Sequence, residues 1–146
     1  MARRLLKVVI LVFVSLTPLL AFASSSSIET GVSWITTTQN SDGSWGSNAE
    51  LAVLDTSVAL DTLKNMNFVS PSYSSAVTWL SSQSALPNDF LSRKIVSLYA
   101  AGVDISAGLS ALITSRNADG GWGGDSESTS MINDTVLILQ ALKAVS

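Results

Sequence analysis

Few residues in this chain have side chains suited to catalysis. The sequence of 146 residues contains neither histidine nor cysteine. This excludes Ser/His/Asp triads, Cys/His pairs and metal sites built from imidazole or thiolate groups. The remaining acid–base candidates are Asp55 and Asp134, each predicted near the start of an apolar helix. A carboxylate there can cap free backbone amides, whereas two such acids facing one cavity could act on a glycan.

A glycine-rich loop offers the other chemistry that the sequence allows. It carries Asp119, Asp125 and Glu127 among glycines. Carboxylate and carbonyl oxygens are the hard ligands that calcium prefers. The spacing departs from the EF-hand pattern because the glycine comes too early. These three residues are the candidates for a calcium site, and we otherwise predict no metal and no cofactor.

The elements that position these residues belong to an internal repeat. The segment 30–46 recurs in part at 107–123, so that Asn40, Gly43 and Trp45 each have a counterpart 77 positions further on. Recurrence with the turn residues intact is typical of a repeat architecture. The Asp-Gly pair within each copy favours a tight turn between two helices.

The hydrophobic pattern predicts three pairs of helices. The first helix of each pair has one apolar stripe, whereas most of the second helices are apolar around nearly the whole circumference. That difference predicts an outer layer of amphipathic helices around an inner layer of buried ones. We expect a cap at Asp89 and a stop at Gly102 for the fourth helix. The predicted helices lie at 28–38, from about 51, at 73–83, from about 89, from about 105 and at 131–145.

The first repeat contains a small residue, an aromatic residue, an aliphatic residue, a glutamine and a Gly-x-Trp at fixed spacing, in Gly31, Trp34, Ile35, Gln39, Gly43 and Trp45. This pattern resembles the QW motif, which is characteristic of triterpene (squalene-hopene) cyclases and of the wider prenyltransferase/squalene oxidase repeat superfamily. The third repeat keeps Gly120 and Trp122, but has Arg116 in place of the glutamine and Ala111 in place of the first aromatic residue. The resemblance implies an all-α fold of the α/α toroid type, with about three helical hairpins forming a partial, open ring.

The motif also has a structural explanation that does not depend on the family. Gln39 can bond backbone groups at the end of a neighbouring helix, and the indole of Trp45 can shield that bond from water. The tryptophans of both repeats are then packing residues that join adjacent repeats. We interpret Trp34 and Trp79 in the same way, as packing residues of the outer helices.

The activities that the resemblance implies lack their residues in this chain. Triterpene cyclases protonate their substrate with an Asp-x-Asp-Asp motif, and the sequence contains no such string. Protein prenyltransferases hold zinc through Asp, Cys and His, and the last two residue types are absent. We therefore predict a non-catalytic domain for binding or assembly. The alternative is a fragment or degenerate relative of a terpenoid cyclase or of a polysaccharide-active α/α toroid enzyme.

The amino terminus resembles an export signal. Arg3 and Arg4 precede an apolar run, and Ala23 ends a small-residue cleavage triplet. We predict a signal peptide at 1–23, a flexible serine-rich leader at 24–27 and the repeat domain at 28–146. The protein would then be secreted, or periplasmic or otherwise in the cell envelope. The absence of disulfides suits a bacterial protein, and membrane contact is expected only through an uncleaved signal segment.

Charge and repeat number indicate the kind of partner. The formal net charge is −3, and only five of the eight basic residues lie outside the predicted signal peptide. No basic patch therefore indicates nucleic acid. Three hairpins leave their terminal helices uncovered. We expect self-association, or a larger partner bound through the open edges of the repeat, and the chain could also be part of a larger toroid.

Overall fold

A computed structural model describes residues 18–146, with side-chain surroundings from residue 26 onward. This part of the chain is all-helical and contains no β-strand. None of its helices is both long enough and apolar enough to cross a membrane. The six helices are α1 (Pro18–Thr37), α2 (Ala52–Asn65), α3 (Pro71–Ser82), α4 (Asn88–Ala100), α5 (Ser106–Thr114) and α6 (Ile132–Ala144).

Helix α1 begins earlier than the sequence pattern indicated. The helix was predicted to begin at Ile28, but it already includes the serines predicted as a flexible leader. Residues 1–17 of the predicted signal peptide lie outside the described residues. Contacts within the chain divide it after Gly31, and the packing below concerns Val32–Ser146.

Residues next to the ends of the middle helices determine where these helices begin and end. Pro71 is the first residue of α3, and the Ser70 hydroxyl accepts a hydrogen bond from the Tyr73 amide at 3.3 Å, which is N-terminal capping. Gly102 adopts a φ of +79° just after α4, as expected for a glycine that ends a helix. The predicted cap at Asp89 is wrong, because α4 begins at Asn88 and its N-cap position is Pro87.

Helix α4 is the centre of the packed unit. It packs against α2, α3, α5 and α6, while α2 also packs against α3. Leu98 of α4 belongs to a first apolar core with Leu60 and Leu63 of α2. Ile95, one turn earlier on α4, belongs to a second core formed with Leu112, Trp122 and Ile138. The second helices of the three pairs therefore lie side by side in the order α2, α4, α6.

The expectation that the second helices never see solvent is wrong. In α6 only Ile138 and Ala141 are buried, while Val136 and Leu139 are 45% and 51% exposed. In α2, Val58 is 52% exposed. A helix at the end of a row has a neighbour on one side only, so its apolar residues on the other side remain uncovered.

Candidate functional site

The turn of the first repeat is built around a buried tryptophan. Trp45 is 6% exposed, and its indole N–H donates to the carbonyl of Ile35 in α1 at 2.7 Å. Its backbone N–H donates to the hydroxyl of Thr56 in α2 at 3.0 Å. Gly43 has a φ of +96° and lies so close to Ser75 that a Cβ atom would clash with the backbone there. The tryptophan thus ties α1, the turn and α2 together.

The third repeat reproduces these contacts atom by atom. The indole of Trp122, 3% exposed, donates to the carbonyl of Leu112 at 2.7 Å. Its backbone N–H donates to the hydroxyl of Thr135 at 3.0 Å. Leu112 and Ile35 are 77 positions apart, and the threonines are 79 apart because the loop of the third repeat is longer by two residues. The repeat seen in the sequence is therefore also a repeat of hydrogen bonds.

Gln39 and its counterpart Arg116 differ in what they reach. The Gln39 side-chain amide donates to the carbonyls of Gly43 and Ser72, each at 2.8 Å. Ser72 lies in the first turn of α3, so this amide joins the turn to the next helix. Arg116 donates to the carbonyl of Gly120 at 3.0 Å, and its guanidinium lies 5.4 Å from the Trp122 ring centre. Arg116 thus makes the contact within the turn that Gln39 makes to Gly43, and it adds a cation–π contact.

One other motif residue, Trp34, does not pack as predicted. Trp34 is 67% exposed, which contradicts its interpretation as a packing residue. The core of α1 is formed by Val32 and Ile35, and residue 34 lies on a different face because successive helical positions rotate by about 100°. Gly31 is also exposed and has no neighbour near the position of a Cβ atom. Trp79, in contrast, is partly buried against the first core.

The two candidate catalytic acids lie in separate places. Asp55 is in the first turn of α2, where its carboxylate lies against Gly46. Asp134 occupies the first turn of α6. Neither helix has a side-chain hydrogen bond from its N-cap residue, so the acids face the positive ends of the helix dipoles without acting as N-caps. The structure does not bring the two carboxylates to one cavity.

The acidic loop residues are occupied with the loop itself. Asp119 accepts hydrogen bonds from the Gly121 amide and the Ser130 hydroxyl, and these bonds lower the pKa of its carboxyl group. Asp125 likewise accepts from the Glu127 and Ser128 amides. Within residues 18–146, no three acidic side chains are gathered into a group that could hold a metal ion. The carboxylates of Asp119 and Asp125 thus stabilise the loop, and Glu127 contributes its backbone amide.

The sequence analysis missed a polar pocket between the second helices. Asp61 of α2, Arg93 of α4 and Gln140 of α6 line it, and its volume is about 260 Å³. The Asp61 carboxylate accepts a hydrogen bond from the Ser97 hydroxyl at 2.8 Å. Burial raises the pKa of Asp61, and the bond from Ser97 opposes that rise. Only the packing of three helices joins these residues, so no local spacing in the sequence indicates the pocket.

Asp61→Asn tests the electrostatics of this pocket. A raised pKa means that the folded state binds the proton more tightly than the unfolded chain. Wild-type stability should fall, relative to Asp61→Asn, as the pH rises from the ordinary aspartate range through the raised pKa of Asp61. The asparagine oxygen can still accept from Ser97. Urea titrations of both proteins across the acidic range measure the difference.

The matched control is Asp104→Asn. The Ser106 amide donates to the Asp104 carboxylate and lowers its pKa, so the sign is reversed. Wild type should lose stability relative to this variant as the pH falls through the lowered pKa. Equal pH dependence for both variants would contradict the assignment of a raised pKa to Asp61.

A larger groove lies between α1 and α2, and we call it the first-repeat groove. Its volume is about 780 Å³. Asp55 is its one carboxylate, and exposed apolar side chains form much of its wall. Trp34 and Val58 are 67% and 52% exposed there. The residues that line it include Trp34, Thr38, Ser47, Leu54, Asp55, Val58 and Thr62.

A second uncovered surface lies at the other end of the row of helices. It follows one face of α6, and we call it the α6 stripe. Val136 and Leu139 form its apolar part, and Gln140, Lys143 and Ala144 complete it. At the start of the same helix, Met131 and Ile132 are 57% and 83% exposed. Both ends of the row thus present apolar side chains to solvent.

Comparisons of this chain with protein-family models, with curated proteins and with solved structures gave no match.

Proposed function

We propose that this protein is an exported, non-catalytic helical-repeat domain that binds or assembles through the open edges of its repeat. The observation that carries the proposal is the pair of apolar surfaces at opposite ends of the helix row. Trp34 and Val58 mark one end, and Val136 and Leu139 mark the other. Exposed apolar patches at the ends of a repeat array are typical of surfaces that another element covers.

The distribution of acids supports binding over catalysis. The first-repeat groove is lined by one carboxylate, Asp55, and the polar pocket by one, Asp61. Glycoside hydrolysis ordinarily needs two carboxyl groups facing one bond. The alternative, a degenerate terpenoid cyclase relative or a polysaccharide-active toroid enzyme, rests on the motif resemblance.

The placement of the protein within the QW-motif superfamily is part of this proposal. Its support is the motif residues together with the repeated hydrogen bonds of Trp45 and Trp122. The side-by-side order of α2, α4 and α6 suits an arc of three hairpins, with these helices on the inside. Export to the periplasm, cell envelope or medium rests on the predicted signal peptide at 1–23.

Site-specific photo-crosslinking in the cells that produce the protein tests this function. A photoreactive phenylalanine derivative is placed at position 58 in the first-repeat groove or at position 139 in the α6 stripe. The control carries it at Ser74, an exposed residue of α3. We expect defined adducts from positions 58 and 139 and none from position 74. If neither edge position gives an adduct, the assembly function is wrong.

A further inference from the structure

The third repeat shows what covers a groove of this kind. Thr38 and Ser47 of the first-repeat groove correspond to Ser115 and Gly124, 77 positions further on. Both counterparts are bound by Asn88 at the start of α4. The Ser115 hydroxyl donates to the Asn88 side-chain oxygen at 3.2 Å, and the Asn88 backbone N–H donates to the carbonyl of Gly124 at 2.7 Å.

The inner side of that groove is covered by α4 as well. Val58 and Thr62 of α2 correspond to Leu137 and Ala141 of α6, 79 positions further on. Leu137 and Ala141 line the polar pocket together with Arg93 of α4, and Ala141 is 4% exposed. In the third repeat, the face that corresponds to the first-repeat groove is therefore covered by α4, the second helix of the preceding repeat, and the polar pocket is the space left between them. In the first repeat, no described residue takes the place of α4 over the same face, and Val58 is 52% exposed there.

The α6 stripe has its own buried counterpart. Val136 and Leu139 correspond to Ser57 and Leu60 of α2 at the same offset of 79. Ser57 and Leu60 are 2% and 1% exposed. They lie on the side of α2 that meets α4, where the Ser97 hydroxyl donates to the carbonyl of Ser57 at 3.3 Å. The α6 stripe is thus the face by which a second helix packs against the following repeat.

We propose that a second copy of this chain occupies the first-repeat groove, with the start and the stripe of its α6 packed against α2. This inference rests on the proposed assembly function and names its partner. The two surfaces match because each is the uncovered version of a contact already made inside the chain. Both are apolar, with Trp34 and Val58 on one side and Ile132, Val136 and Leu139 on the other.

Such a contact is head-to-tail, because different surfaces of the two copies meet. A heterologous contact closes into a ring if its rotation allows and otherwise extends into a filament. It differs from a twofold dimer in a way that can be measured. If the first-repeat groove is disrupted in one copy and the α6 stripe in another, the intact groove of the second copy can still bind the intact stripe of the first.

The experiment measures the mass of the protein by light scattering over a range of concentrations. The protein is purified in the form that its cells accumulate. Val58→Glu places a charge in the groove, and Leu139→Glu places one in the stripe. Both positions are about half exposed, so the isolated fold should tolerate the change. Circular dichroism checks that it does. We expect wild type to exceed the mass of one chain and each variant to dissociate at least about tenfold more readily.

The decisive sample is an equimolar mixture of Val58→Glu and Leu139→Glu. We expect the mass of two chains, since the intact stripe of the first variant meets the intact groove of the second. The control Ser74→Glu should assemble like wild type. A mixture that stays at the mass of one chain, while wild type assembles, overturns the head-to-tail contact. Loss of assembly in Ser74→Glu overturns it too.

A wild-type mass of one chain at all concentrations also overturns the inference. The proposed function is tested separately, because its test is the formation of crosslinked adducts in cells. Adducts at positions 58 and 139 whose mass differs from that of two copies would keep the assembly function and assign the edges to a different protein.

Discussion

Replacement of Trp45 by alanine should lower the free energy of unfolding by about 3–5 kcal/mol. The indole is buried in the first core, and its N–H holds the carbonyl of Ile35 at 2.7 Å. Truncation leaves a cavity and removes the donor for that carbonyl. Urea denaturation followed by circular dichroism measures the change.

Trp34→Ala is the matched control for this prediction. It removes the same side chain eleven positions earlier, from a site that is 67% exposed. At protein concentrations too low for assembly, its effect should stay within about 0.5 kcal/mol. Similar losses for both variants would contradict the burial of the repeated tryptophan and the exposure of the first one.

Leu112→Ala should cost about 2–5 kcal/mol, and Ile113→Ala should be nearly neutral. Leu112 is fully buried in the second core, whereas its neighbour Ile113 is 56% exposed. The two residues therefore lie on different faces of α5. The same denaturation experiment distinguishes these faces, and a larger loss for Ile113→Ala would show that α5 is rotated from its position here.

The predicted elements agree with the structure where the signal is local. Pro71, Gly102 and the Asp-Gly turns mark the ends of helices within a few residues, because the φ preferences and side-chain caps of such residues act on adjacent backbone. The contacts of Trp45 and Trp122 share this local character. Each joins atoms within about thirteen positions of the tryptophan, so the repeat in the sequence carries the repeat in the structure.

The features that sequence reasoning missed depend on distant parts of the chain. Asn88 binds the carbonyl of Gly123, 35 positions away, at 2.9 Å. Asp61 is bonded by Ser97, 36 positions away. The exposure of α6 is of the same kind, because hydrophobic periodicity reports which face of a helix is apolar and not which neighbour covers it. The first-repeat groove and the α6 stripe therefore emerge only when the helices are placed in order.

The difference between Gln39 and Arg116 follows the position of each repeat in the row. Gln39 has the first turn of α3 beside it and donates to Ser72 there. Arg116 instead lies over the ring of Trp122. A longer, charged side chain suits a position where the solvent-facing end of the group stays hydrated. The substitution in the motif thus has a physical reason within this chain.

Helix α4 contributes Leu98 to one apolar core and Ile95, one turn away, to the other. Unfolding of α4 would expose both cores at once. The helices around one core therefore cannot unfold while those around the other stay intact. We therefore expect unfolding to be one cooperative event across the repeats, and the amide protons of α4 to be the slowest in the chain to exchange with solvent.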